Sequence, residues 1–260
     1  VQRRLRLTIE YDGAGFGGWQ IQPNARSIQA ELEQALGEVT QEQRRVIGAG
    51  RTDAGVHALG QAAHVDVATR MGPVELRKAM NAVLPADVAI RRVQEVPAGF
   101  HARRDALWKR YAYRILMSGV RSPLRRGHVW HLYRTLDVER MREAAGVLLG
   151  THDFSAFRGA PGGPVPSETT VRSLDRLDLL EIDDELWIVA RGRSFLRYMV
   201  RNIVGTLVEI GQGRRDAGDM AEILASRERT RAGATAPPWG LCLEHIAYPG
   251  DPDEPETRRA

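Results

Sequence analysis

The sequence predicts an α+β protein made of two ferredoxin-like or RRM-like subdomains, each an antiparallel-rich sheet backed by helices. Three observations carry this. The first hundred residues alternate between period-two and period-3.6 apolar patterns in the order strand, helix, strand, strand, helix, strand, the order of a split βαβ unit. The second half repeats that rhythm without a residue-level repeat. A length of 260 residues with 43% hydrophobic content is enough chain for two packed cores. The expected division is 1–104, 105–248 and a disordered tail at 249–260.

The elements follow in order. "RLRLTIEY" places Leu5, Leu7, Ile9 and Tyr11 on one strand face. "DGAGFGGWQ" breaks the strand with glycines. From Ser27 the period turns helical, with Ile28, Leu32, Ala35, Leu36 and Val39 in one stripe. "RRVI" is a short strand candidate, and "QAAHVDV" is a strand with Ala63, Val65 and Val67 alternating. "GPVELRKAMNAVLP" reads as a helix between Pro73 and Pro85. "DVAIRRVQEV" returns to strand.

In the second half "ALWKRYAYRIL" is a strand with Leu107, Lys109, Tyr111, Tyr113 and Ile115 on one face. "DVERMREAAGVLLG" is a helix with Asp137 as N-cap and Gly150 beyond its end. "VRSLDRLDLLEI" and "LWIVARG" are strands around a turn at Asp183 and Asp184. "SFLRYMVRNIVGTLVEIGQG" is a long helix and "LCLEHIAY" the closing strand. Residues 158–170 are a mobile-loop candidate.

Composition narrows the function classes. No apolar run reaches the ~18 residues of a membrane span, and the N-terminus lacks the apolar core of a signal peptide. The single cysteine, Cys242, leaves no internal disulfide and fits a reducing cytoplasm. Only two of the 37 basic residues are lysine. A GC-rich genome gives the same bias, so this count alone decides nothing. A pI near 9.6 fits a nucleic-acid partner or a plainly solvated arginine surface.

Residues 48–58, "GAGRTDAGVHA", set Asp53 among glycines beside Arg51. The third glycine of a dinucleotide fingerprint would fall on Asp53, and Val56 and His57 stand where a P-loop needs Lys and Ser or Thr. Seven histidines and one cysteine give no metal-ligand spacing; His128 and His131 are three apart amid Trp130 and arginines, as in an RNA surface or ordinary packing. Taken alone, Asp53 reads first as an Asx-turn or a helix cap. The apolar helix from Phe195 to Ile210 changes the weighing. Arg197 and Arg201 lie one turn apart on it. A buried arginine needs a partner; Arg201 is expected to be buried, and Asp53 would be a suitable partner for it. Arg197 is expected to reach the surface along its apolar stem. Tyr111, among Lys109, Arg110 and Arg114, is either a core tyrosine or a ring that stacks on a nucleobase.

Together with "YDGAGFGGWQ", "MNAVLP", "FHARRDA", "KRYAYRI", "GTHDFSAFR", "FLRYMVRNIVGTLVEIG" and "APPWGLCLEHIAY", the motif at 48–58 resembles the TruA-type tRNA pseudouridine synthases from about residue 5 to 248. The resemblance implies a basic active cleft between the two subdomains and a homodimer acting on tRNA. It implies conversion of uridines 38, 39 and 40 of the anticodon arm to pseudouridine, with no cofactor and no catalytic metal. Asp53 would be the catalytic carboxylate, Arg201 its ion-pair partner, and Tyr111 the ring packed on the target base. Arg51 would help base flipping or RNA contact, and Leu241 would line the base pocket. Ala14 and Met80 depart from the usual pattern without touching that chemistry. An RNA-binding module without catalysis is the reading from another class.

Overall fold

The computed structural model describes residues 2–159 and 169–252. The chain forms two compact units. One runs up to Leu107 and takes the chain up again from Cys242; the other is Trp108–Leu241.

The first unit contains β1 (Gln2–Tyr11), α1 (Ile28–Thr40), β2 (Ile47–Gly48), β3 (His57–Ala68), α2 (Pro73–Val83) and β4 (Val88–Val96). β1 is the central strand, antiparallel to β3 and β4, with Leu7 opposite both Ala63 and Val93. β2 pairs on the other side of β3, Ile47 against His64. This gives the order β4-β1-β3-β2 expected of a ferredoxin-like sheet. Leu5, Leu7, Ile9, Ile28, Leu32, Leu36, Leu76, Met80 and Ile90 are fully buried in it, each worth ~1.5–3 kcal/mol of apolar transfer. Both helices begin where the sequence places them. The Ser27 side chain caps α1 by accepting from the Ala30 amide at 3.3 Å. Pro73 opens α2, and the Glu75 carboxylate accepts from the Gly72 amide at 2.9 Å. Between Ala58 and Gln61, β3 carries one more residue than β1 opposite it. That bulge ends the regular ladder beside Tyr11 and the 49–56 loop.

The second unit contains β5 (Trp108–Met117), β6 (Trp130–Leu132), α3 (Val138–Gly146), β7 (Gly150–Asp153), β8 (Val171–Ile182), β9 (Glu185–Gly192), α4 (Met199–Gly211) and α5 (Asp219–Ser226). Its sheet runs β6-β5-β9-β8-β7. β5 and β9 are antiparallel, with Tyr111 opposite Ala190 and Tyr113 opposite Ile188. The β8–β9 hairpin turns at Asp183 and Asp184, where Asp183 takes a left-handed φ of 54°. Asp137 caps α3 through the Arg140 amide at 3.1 Å. Tyr113, Phe154, Phe157, Leu186, Ile188, Val204, Leu207 and Ile210 are fully buried.

The last strand, β10 (Leu241–Ala247), departs from the expected 105–248 grouping. From Cys242 onward it belongs to the first unit. It lies parallel to the start of β3, Cys242 against His57 and Leu243 against Ala58. The backbone of Glu244 comes so close to Gly60 that a Cβ there would lie 2.5 Å from its carbonyl oxygen. The tail also departs from expectation at its start. Asp251 accepts two hydrogen bonds from the Arg6 guanidinium, at 2.7 and 3.1 Å, and one from the Tyr248 amide at 3.1 Å. Residues 249–252 are therefore tied to β1; residues 253–260, and 160–168 of the loop candidate, lie outside the described residues. Among the described residues no helix is long and apolar enough to cross a membrane.

Candidate functional site

Asp53 lies on the loop between β2 and β3, and the loop is held from below by side chains of the first unit. The Thr52 hydroxyl is buried and sits 2.8 Å from the Tyr11 hydroxyl. Gln61 donates from Nε2 to the Gly50 carbonyl at 3.0 Å and reaches Tyr11 Oη at 3.4 Å. The Thr52 carbonyl accepts from the Trp19 amide at 3.1 Å, and the Asp53 carbonyl from the Val56 amide at 3.2 Å. Burial pushes the Tyr11 phenol well above its ordinary range, against the opposing hydrogen bonds of Thr52 and Gln61. Tyr11 therefore stays a neutral anchor.

Two glycines around this loop make room for close packing. The position of a Cβ on Gly48 is filled by the Trp19 ring, 2.5 Å away. Gly18, in the facing loop, has φ +108°, and a Cβ there would lie 2.6 Å from the Thr52 carbonyl oxygen and 3.1 Å from the Asp53 carbonyl carbon. The "YDGAGFGGWQ" loop thus lies with its backbone directly against the backbone of the 52–53 peptide. Asp53 is half-buried between buried Thr52 and exposed Ala54, while Arg51 is exposed. A half-buried carboxylate on a doubly braced loop has little freedom to move.

In the second unit Tyr111 stands on β5, only 8% exposed, with the Phe195 ring edge-on at 5.1 Å. Tyr113, two residues on, is a core tyrosine. Its hydroxyl donates to the Pro237 carbonyl at 2.8 Å, and burial raises its phenol pKa against the opposing charge of Arg201. Leu241 is buried at the first position of β10.

Arg201 sits in the first turn of α4 and is half-buried, not fully buried as expected. Its Nε donates to the Ala236 carbonyl at 2.8 Å. The Ala236 amide in turn donates to the Arg201 carbonyl at 3.1 Å. Its guanidinium lies 4.9 Å from the centroid of the Tyr198 ring. Arg197 is exposed, as expected, but it does not share the helix. α4 starts at Met199 because Tyr198 adopts a left-handed φ of 61°, a rare conformation for a bulky residue. Arg197 still reaches the same ring, at 4.7 Å, and donates to the Tyr198 hydroxyl at 3.0 Å. Tyr198 has room because its neighbour is Gly159; a Cβ there would lie 2.3 Å from the ring.

Arg51 and Asp53 therefore share one loop of the first unit, while Tyr111, Arg201 and Leu241 belong to the second. Sequence reasoning missed Tyr11, Thr52, Gln61 and Trp19 as supports of the Asp53 loop, and Tyr198 and Ala236 as contacts of Arg201. Gln61, a polar residue in line with Ala63, Val65 and Val67 on β3, is the available signal. Among the described residues no three His, Cys, Asp or Glu side chains gather as a metal-holding group; His131 instead contacts the Ser118 carbonyl at 2.7 Å and packs on Tyr133.

Comparison with known proteins shows similarity along nearly the whole chain. The profile of a family described as tRNA pseudouridine synthase matches residues 7–105 and 144–249. A Myxococcus xanthus protein described as tRNA pseudouridine synthase A is 48% identical over 251 residues, 96% of this chain and 93% of its own. A protein of the same description from Geobacter sp. (strain M21) is 44% identical over 248 residues, covering 95% of this chain and 99% of its own. One from Brevibacillus brevis is 44% identical over 246 residues, covering 95% of this chain and all of its own.

Proposed function

Because the chain belongs to the tRNA pseudouridine synthase family, a family of isomerases, we propose that it converts uridines 38, 39 and 40 of the tRNA anticodon stem-loop to pseudouridine with Asp53 as the catalytic carboxylate. In this reading it works as a cytoplasmic homodimer, without an added cofactor. The observation that carries the role of Asp53 is its setting. It is the carboxylate of the 49–56 loop, half-buried, with the residue before it clamped by Tyr11 and Trp19.

The reaction breaks the N1–C1′ glycosidic bond, turns the uracil and rejoins it through C5. A proton leaves C5 and one is taken up at the freed N1, so the atoms balance without redox chemistry. A stacked base cannot be turned in place and must first be flipped out. Tyr111 then packs on the flipped base, replacing stacking worth ~1–3 kcal/mol. The exposed Arg51 contacts RNA as the base leaves the stack, and Leu241 belongs to the apolar wall of the pocket. Asp53 acts in its ionised form, as nucleophile at C1′ or as base on the sugar. Arg201, as its partner, favours that form, since a nearby positive charge stabilises a carboxylate. The arginine-rich segments "RRDALWKRYAYR" and "RSPLRRGHVWH" track phosphates, which makes binding fall with salt.

The test is release of tritium from C5-tritiated tRNA. The parent protein is expected to release it and Asp53→Asn to bind tRNA but release none. Binding without release by the parent overturns the enzyme reading. Full activity of Asp53→Asn overturns the role of Asp53 alone. Mapping the modified positions in tRNA checks the choice of 38, 39 and 40.

A further inference from the structure

One cation of the second unit has no use in the chemistry above. Arg229 is half-buried, and among the described residues its hydrogen bonds go to neutral acceptors. Nη2 donates to Asn202 Oδ1 and to Thr235 Oγ1, both at 3.0 Å. Nη1 donates to the Ala232 carbonyl at 3.3 Å. Glu209, the carboxylate whose charge acts on it, is engaged elsewhere: it accepts from the Ala234 amide at 3.0 Å and from Arg215 Nε at 2.6 Å. Burial accordingly lowers the Arg229 pKa from its ordinary value, with the charge of Glu209 opposing. A guanidinium desolvated onto neutral partners costs stability that an apolar side chain of similar volume would not. What it provides is geometry, since one rigid planar group joins three separate points.

Those points converge on Arg201. Asn202 is its neighbour on α4, wholly buried, and its Nδ2 donates to the Phe157 carbonyl at 2.8 Å. Thr235 donates to Asn202 Oδ1 at 2.7 Å. From Gly233 to Ala236 the chain runs along α4, bonded to Thr206 Oγ1 at 2.9 Å, to Glu209, and finally to the Arg201 carbonyl. It lies so close that a Cβ on Gly205 would fall 1.7 Å from the Ala234 oxygen. The end of this segment, the Ala236 carbonyl, is the acceptor that holds Arg201 Nε.

We infer that Arg229 is a positioning residue for the reaction: by locking segment 232–236 to Asn202, it fixes the carbonyl that aims the Arg201 guanidinium. The inference rests on the reading of Arg201 as partner of the catalytic carboxylate. Arg229 itself touches no reacting atom.

The experiment measures kcat and KM for tritium release with Arg229→Met, Arg229→Lys, Thr235→Val, Arg201→Lys and the double variant Arg201→Lys/Arg229→Met, with thermal unfolding of each. Arg229→Met is expected to lower kcat by about tenfold or more with KM within about threefold, the pattern of an interaction realised in the transition state. Arg229→Lys keeps the charge but reaches fewer acceptors, and its kcat is expected between the two. If Arg229 acts through Arg201, the double variant is no slower than Arg201→Lys alone, within about twofold. Multiplying losses overturn the inference, and so does an Arg229→Met variant that raises KM while keeping kcat. If Arg229→Met does not fold, Thr235→Val carries the same test with a smaller expected loss. Full activity of Arg201→Lys sinks the reading of Arg201 and this inference with it. An impaired Arg201→Lys beside a fully active Arg229→Met sinks this inference alone.

Discussion

His64 gives a prediction whose size can be worked out. It stands on β3, 3% exposed, between the Phe100 ring at 6.2 Å and the His101 ring at 4.7 Å. Its Nδ1 accepts the Ala102 amide at 3.1 Å. Protonating that nitrogen would set a donor against a donor. Burial pushes the His64 pKa down to about 4, helped by the charges of His101, Arg4 and Arg104 and opposed by Asp66. The unfolded chain titrates near 6.5, so between those values the unfolded state binds more protons. Stability is then complete above about pH 6.5 and is lost as pH falls toward 4. Between pH 7 and pH 5 the loss is at most about 2 kcal/mol, and less where solvent at half-buried His101 screens the cluster. His64→Asn keeps an acceptor for the Ala102 amide and removes the titration. Urea unfolding of both proteins at pH 7 and pH 5 isolates the term, because carboxylates elsewhere contribute equally to each. The parent is expected to lose 1–2 kcal/mol more than His64→Asn, roughly. Equal losses would refute the buried, neutral His64.

Gly205→Ala forces the 232–236 segment off α4, since the new methyl meets the Ala234 oxygen; a loss of about 1–3 kcal/mol is expected, read as a lowered Tm together with reduced activity. Tyr11→Phe leaves the buried Thr52 hydroxyl without its partner at 2.8 Å. It is expected to cost roughly 1–3 kcal/mol and to lower kcat for tritium release more than it weakens tRNA binding, measured by filter binding in parallel. Arg6→Met removes both bonds to Asp251 and strands a largely buried carboxylate, a loss of about 3 kcal/mol. Chemical denaturation at pH 7 measures it, and the cost should shrink when Asp251→Asn is combined with it.

The parts of the fold that sequence made legible are those with a repeating physical signal. The Ile28–Leu36 stripe, the Ser27 and Asp137 caps and the Pro73 start name their helices because period and capping are local properties. Tyr198 is different. Nothing in "SFLRYMVRN" announces a left-handed tyrosine, and the apolar period runs through it, so α4 begins five residues later than the pattern suggests. β10 reads as a strand, but its partner is a long-range pairing that alternation does not encode. Around Asp53 the motif shows which residue is unusual and not what holds it. Tyr11, Trp19 and Gln61 come from elsewhere in the chain and meet the loop only in three dimensions. Arg229 and Asn202 were similarly hidden, one in a polar stretch and the other inside an apolar helix.

The return of the chain from Cys242 to the first unit has a consequence for the order of synthesis. Domains generally close as their residues leave the ribosome. The second unit is finished at Leu241, but the edge of β3 at His57 and Ala58, and Arg6 on β1, still await β10 and Asp251. The part made first is thus completed last. A nascent chain stalled in the second unit carries an open sheet edge beside the Asp53 loop, a ready substrate for chaperones and proteases.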